Sequence, residues 1–292
     1  MIQNDKYYCG CDVGSTYGKA MILDDSGKVL GSSIVRSKVD PEDTARISIA
    51  EAIKGIPGLD EISQFTYLVG TGYGRNEVPF ANENISEISC HALGVFTCDP
   101  DVRSIVDIGG QDVKGIGVAD DGMVRDFCMN DKCAAGTGLF FEGMSRAFEI
   151  NIAEFSNLSL MAKKVIPITS QCSVFAETEV ISLLAMKNSP ADIAAGIQQA
   201  VAKRCLTMLM RVGIQEKVTV TGGCAKNYGL IQALESILRT KLAHLPIDPQ
   251  LMGALGAAIY ARRKALVKAG SSTITKEALS RRGMQGTSQA ST

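Results

Sequence analysis

The sequence predicts an α/β protein built as two related lobes, and three observations predict it. The first is an internal repeat. Residues 7–13 form an apolar run into the loop Asp12-Val13-Gly14-Ser15-Thr16, followed by the apolar segment 20–23 and the turn Asp24-Asp25-Ser26-Gly27. Residues 104–108 lead in the same way into Asp107-Ile108-Gly109-Gly110-Gln111, then segment 115–118 and the turn Asp120-Asp121-Gly122. Asp12 and Asp107 lie 95 positions apart and Asp24 and Asp120 lie 96 apart, so loop and hairpin turn recur in register. The second observation is the alternation of short strand patterns with helical ones. The third is size: 292 residues, 46% hydrophobic, suffice for two lobes with a core each.

The elements follow in order. After the first hairpin, residues 41–54 carry helical periodicity with Pro41 near the start, where its missing N–H costs nothing. Residues 64–69 read as a strand entering the turn Gly70-Thr71-Gly72-Tyr73-Gly74, and 85–96 as a helix. Asp99-Pro100 marks the lobe boundary. Beyond the second hairpin, helical patterns cover 139–148, 174–186 and 191–212. A strand at 217–220 then meets Gly222-Gly223, which open a helix at about 227–238, and 251–268 is the last helix. Residues 1–98, completed by helix 251–268, are expected to form the first lobe and 99–250 the second. The tail 269–292, rich in Ser, Thr, Gly and Gln, has little apolar surface to bury and is expected to be mobile.

Composition excludes several classes. Thirty basic and 31 acidic residues give a net charge of −1 without long like-charge runs, so neither nucleic acid nor a membrane surface is an expected partner. No uncharged apolar run approaches the roughly 20 residues of a membrane span, and residues 1–6 lack a signal core. The expected location is cytoplasmic. Nine cysteines there point to buried thiols plus a metal site rather than to a disulfide framework.

The glycine loops point to phosphate. A Walker loop needs four residues between Gly and Gly-Lys and then Ser or Thr, whereas Gly14 and Gly18 enclose three and Ala20 follows Lys19, so that reading fails. In a β-hairpin, glycines let backbone N–H groups approach phosphate, while a strand-end Asp holds Mg2+ through its water shell. Two such hairpins face to face would grip a nucleotide triphosphate from both sides. Gly222-Gly223, between strand and helix, offers a third close-approach loop for adenosine or the α-phosphate. One Asp-Gly loop alone reads as a tight turn; three in duplicated context read as a site.

These motifs resemble the actin-like, Hsp70 and sugar-kinase ATPase superfamily, a duplicated ribonuclease H-like fold with two lobes around a nucleotide cleft. The resemblance assigns Asp12, Gly14, Ser15, Thr16 and Lys19 to the first phosphate motif, and Asp107, Gly109, Gly110 and Gln111 to the second. Gly222, Gly223, Ala225, Lys226 and Asn227 match the adenosine motif. In catalysis, Asp12 and Asp107 would orient Mg2+ or water, and Gln111 the attacking water. More narrowly, Met129–Gly138 (MNDKCAAGTG), Cys172–Ile181 (CSVFAETEVI), Ser86–Ala92 (SEISCHA) and Gly253–Ala258 (GALGAA) resemble the BadF/BadG/BcrA/BcrD-type ATPase family. That branch holds ATPase subunits of benzoyl-CoA reductases, Q-like subunits of the bzd type included, and activators of 2-hydroxyacyl-CoA dehydratases.

Spacing alone leaves Cys133 and Cys172 as two buried thiols, since the chain has no CxxC pair or close quartet. Each precedes a helix start, where the dipole favours thiolate, and a twofold axis would double two cysteines to four. The family resemblance implies that arrangement: one 4Fe-4S cluster shared across a dimer interface, ligated by Cys133 and Cys172 of each subunit. It also implies ATP and Mg2+, an identical or related ATPase subunit, iron-sulfur acyl-CoA reductase or dehydratase subunits, and a reduced ferredoxin or flavodoxin as electron donor. ATP would alter the angle between lobes and gate one-electron transfer to a partner that reduces a CoA thioester. Leu139 in place of an Arg after Gly-Thr-Gly and the tail past Lys268 lean towards a reductase subunit, with a related chain replacing the identical partner.

The other reactive residues read as packing. Cys9 and Cys11 lie on the first core strand; Cys90, Cys98, Cys128, Cys205 and Cys224 fit core or loops; His91 and His244 form neither a metal pair nor a catalytic dyad. Lys226 fits either an adenine neighbour or a solvated lysine. A small-molecule kinase without a cluster remains open on the same fold. So does an Hsp70-like or actin-like binding module, although the short tail leaves no room for a peptide domain.

Overall fold

The structure is a computed structural model that describes residues 6–130, 136–169 and 173–268. β1 (Tyr8–Val13), β2 (Tyr17–Leu23) and β3 (Val29–Arg36) form an antiparallel meander; β1 also pairs in parallel with β4 (Tyr67–Thr71), and β4 with β5 (Glu83–Asn84). β6 (Ser104–Ile108), β7 (Val113–Val118) and β8 (Val124–Met129) repeat the meander, with β9 (Val218–Thr221) parallel to β6. The sheet orders are β3-β2-β1-β4-β5 and β8-β7-β6-β9, the same four-strand topology twice with β5 added at the edge of the first. The repeat extends to the irregularities: β2 shifts register between Ile22 and Leu23, and β7 between Gly117 and Val118. The turns that follow are closed by Gly27 and Gly122, both at positive φ where glycine carries no Cβ penalty.

Among the described residues, eight α-helices cover the sheets: α1 (Pro41–Ile53), α2 (Glu87–Cys98), α3 (Gly138–Ala147), α4 (Ile152–Leu158), α5 (Ser173–Ala185), α6 (Pro190–Val212), α7 (Tyr228–Leu238) and α8 (Met252–Lys268). Strand alternation decides the layering. Cys9, Cys11 and Val13 of β1 face α1 through Ala45, Ile49 and Ala52. Tyr8, Met21 and Val69 face the other way, onto α2 and α8, which also cover Ile105, Ile116 and Val118 of the second sheet. Val106, Ile108 and Val113 turn outward onto α6 and its neighbours. α2 and α8 are thus wedged between the sheets, and they touch closely: a Cβ at Gly256 would lie 1.9 Å from the Cys90 carbonyl oxygen, and one at Gly94 2.2 Å from that of Met252.

Several expectations shift. β3 and β8 follow the hairpins where no strand is anticipated, because Gly31-Ser32-Ser33 and Arg125-Asp126 break the apolar alternation of two half-exposed edge strands. α4 is also unanticipated, although its signal is local: Asn151 and Glu154 close a reciprocal capping box. The Pro41 helix begins as expected, with the Asp40 side chain accepting from the Glu42 amide. Cys9 and Cys11 are fully buried thiols, as expected of packing residues. No helix among the described residues is long and apolar enough to cross a membrane. Cys133, Cys172 and the tail 269–292 lie outside the described residues.

Candidate active site

The two hairpins end on one cleft of about 380 Å3 between the sheets, within the range of small-ligand pockets. Antiparallel pairing sets Lys19 opposite Asp12 on β1/β2, and Lys114 opposite Asp107 on β6/β7. Parallel pairing sets Thr71 beside Asp12 and Thr221 beside Asp107. Each hairpin loop closes the same way, Gly14 N–H donating to the Tyr17 carbonyl and Gly109 N–H to the Asp112 carbonyl. The loops meet: a Cβ on Gly110 would stand 2.0 Å from Thr16 Oγ1 and 3.0 Å from Ser15 Oγ. Behind them, Gly72 and Gly222 hold positive φ against the strand ends, where a Cβ would lie 2.4 Å from Asp12 Oδ1 and 2.3 Å from the Ile108 carbonyl oxygen respectively.

The halves differ in their polar networks. Lys19 Nζ donates to Asp12 Oδ2 at 3.0 Å and also stands close to the Gly14 loop, so it points along the cleft. Lys114 is 2% exposed and meets three carboxylates: Asp112 Oδ1 at 2.6 Å, Glu87 Oε1 at 3.3 Å and Asp107 Oδ2 at 3.5 Å. Burial alone would raise the Asp107 carboxyl, but His91, Lys114 and the Thr221 hydroxyl outweigh it and hold its pKa at about 2. Burial raises Glu87 despite Lys114, and the three carboxylates outweigh burial to raise Lys114. Asp12, Glu87, Asp107, Asp112 and Glu142 against Lys19, Lys114 and Lys226 leave the cleft lining with two surplus negative charges. Hard oxygen donors with that surplus fit a magnesium ion. Among the described residues no group of three or more His, Cys, Asp or Glu side chains is assembled to hold a metal ion.

Of the residues expected at the site, Asp12, Gly14, Ser15, Thr16, Lys19, Asp107, Gly109, Gly110, Gln111, Gly222, Gly223, Lys226 and Asn227 line the cleft. Ala225 does not; it packs into the apolar cluster behind its loop, because the short helical turn 223–226 points it inward. Lys226 is tied at the rim to Asp248 Oδ2 (2.5 Å) and Gln250 Oε1 (2.8 Å). Asn227 caps α7 by accepting from the Leu230 amide, and its own buried Nδ2 has no partner among the described residues. Glu87 and Lys114 line the cleft although the sequence reading gave them no role, and so do Asp112, which ends the second phosphate motif, and His91, expected only to pack. Lys114 had a signal, since it follows Lys19 by the same 95 positions; Glu87 and His91 had only their place in the SEISCHA motif.

A family model, that of the BadF/BadG/BcrA/BcrD ATPase family, matches residues 9–261. The chain belongs to this family. The (R)-2-hydroxyglutaryl-CoA dehydratase activating ATPase of Acidaminococcus fermentans is 43% identical over 89% of this chain and 98% of its own. The structure of the activator of 2-hydroxyisocaproyl-CoA dehydratase from Clostridium difficile with bound ADPNP superposes with a TM-score of 0.84 at 39% identity, over 90% of this chain and 97% of the other. A benzoyl-CoA reductase component of Thauera aromatica is 31% identical over 74% of this chain and 79% of its own. A Streptomyces griseus ROK family glucokinase shares the fold alone, with a TM-score of 0.55 at 14% identity. The actin, Hsp70 and sugar-kinase fold is thereby established for this ATPase. The lean towards a reductase component weakens, since the activators match over more of their length and at higher identity than the Thauera aromatica protein.

Proposed function

We propose that this family member is the ATP-hydrolysing activator of an acyl-CoA dehydratase, with residues 1–98 and helix 251–268 as one lobe and 99–250 as the other. Lys19 and the Gly14 and Gly109-Gly110 loops would hold the phosphates, Asp12 and Asp107 would orient magnesium-bound water, and Gln111, exposed on the cleft wall, would face the attacking water. Asn227 and the Gly222-Gly223 turn would take the adenosine. Cys133 and Cys172, doubled in a dimer, would hold a four-iron cluster that supplies a one-electron carrier when bound. The partners are a second copy of this chain, the dehydratase, and a reduced ferredoxin or flavodoxin as donor.

One observation carries this reading. The Gly138 and Leu139 amides, at the first turn of α3, donate to the Gly109 and Gly110 carbonyls at 2.9 and 3.0 Å. α3 begins five residues after Cys133 in the sequence, so the nearest helix to follow that cysteine is tied to the loop proposed to hold phosphate. The test is iron and sulfide analysis with EPR of the anaerobically purified chain, with and without ATP. About two irons per chain are expected, lost in Cys133→Ala, together with ATP-dependent reduction of a dehydratase partner. Unchanged iron and unchanged reduction in Cys133→Ala would refute the reading. ATP-dependent phosphorylation of a small molecule by iron-free protein would establish the kinase alternative instead.

A further inference from the structure

The motif SEISCHA places His91 where neither its sequence nor the family's phosphate motifs predict it. It is 6% exposed on α2, and its Nδ1 lies 3.1 Å from Thr221 Oγ1 and 3.5 Å from Asp107 Oδ1. Thr221 has one hydroxyl proton and donates it to Asp107 Oδ1 at 2.8 Å. Towards His91 the hydroxyl therefore accepts, which makes Nδ1 the protonated nitrogen. The opposite nitrogen faces the start of α8. A Cβ on Gly253 would lie 2.9 Å from His91 Nε2 and 2.8 Å from Asp12 Oδ2, so one imidazole stands between the carboxylates of the two hairpins. α2 cannot drift, because Gly94 and Gly256 let it touch the α8 backbone without intervening side chains.

We propose that His91 is a positioning residue for phosphate-ester hydrolysis in this cleft: with Thr221 it fixes Asp107 Oδ1, so that Oδ2 is the oxygen presented to the cleft. Thr221 on β9 donates directly to Asp107 Oδ1 and His91 on α2 holds that hydroxyl in place, while Lys114 donates to Oδ2 at 3.5 Å. Gly253 is the space the ring requires. The proposal rests on the ATP-hydrolysis reading above and adds to it a residue outside the three glycine-loop motifs.

The experiment measures steady-state ATP hydrolysis and equilibrium ATP binding of the full chain as wild type, His91→Ala, His91→Asn, His91→Gln, Thr221→Val and His91→Ala/Thr221→Val. Losing the hydrogen bond that holds the Thr221 hydroxyl against a buried carboxylate should lower kcat of His91→Ala about tenfold to a hundredfold, with KM changed less than about threefold. The Asn amide nitrogen takes the place of Nδ1 and should recover most of kcat; the Gln amide reaches the Nε2 side and should not. Thr221→Val should cost a similar factor, and the double variant little more than either single one. Equal kcat in His91→Asn and His91→Gln, additive losses in the double variant, or a loss in KM alone would overturn the role. The Asn-to-Gln ratio is read even if the Ala variant melts below the assay temperature. Wild-type protein that neither binds nor hydrolyses ATP would remove the hydrolysis reading and this role with it. Hydrolysing wild type with equal Asn and Gln variants would remove the role alone.

Discussion

Lys114→Met tests the electrostatic account of the cleft. Met keeps most of the aliphatic volume, so the change removes a charge more than it opens a cavity. The Asp112 and Glu87 side chains are 33% and 22% exposed and can recover water, whereas that of Asp107 is 5% exposed and cannot. Removing one partner of a buried ion pair costs about 3–5 kcal/mol, and the two hydrated carboxylates put this case near about 3. At about 2–4 °C per kcal/mol, the unfolding midpoint should fall by roughly 6–12 °C. The pH dependence follows from Asp107. Its folded pKa of about 2 lies below the ordinary carboxylate value, so its stabilisation is complete above that value and is lost as pH falls towards 2. Without Lys114 the carboxyl protonates at higher pH, so the gap between wild type and variant should narrow between pH 7 and pH 4. Urea unfolding followed by circular dichroism, without nucleotide or magnesium, measures both. A gap under about 1 kcal/mol at pH 7, or one unchanged at pH 4, would refute the reasoning.

Two other perturbations have defined outcomes. Gly222→Ala places a Cβ 2.3 Å from the Ile108 carbonyl oxygen and 3.1 Å from Asp107 Oδ1 at φ +83°, so it should cost at least about 1–3 kcal/mol by the same urea assay and abolish ATP binding measured by calorimetry. Cys9, Cys11, Cys205 and Cys224 are buried thiols whose pKa burial pushes up, Cys205 to about 12, so iodoacetamide at pH 8 should leave all four unmodified until urea unfolds the chain, as peptide mass mapping would show.

Much of this molecule is legible in one dimension. The 95-residue offset carries the duplicated hairpins, and the structure extends it to Lys19 and Lys114, to Gly27 and Gly122, and to the paired register shifts. Those features are local: a strand, a tight loop and its glycine recur within a few residues, where periodicity and turn chemistry act. The edge strands β3 and β8 escaped because half-exposed strands tolerate polar residues and lose the alternation that reveals them.

By itself the sequence determined two carboxylate-bearing hairpins and a third glycine turn, and nearly every residue expected on the cleft lines it. Only the tertiary structure decided what holds those carboxylates. Thr221 reaches Asp107 across 114 residues, and His91 reaches Thr221 across 130, because β9 pairs beside β6 and α2 is pressed between two sheets. Such contacts depend on how helices pack against glycine-thinned backbones, and no spacing rule along the chain encodes that distance.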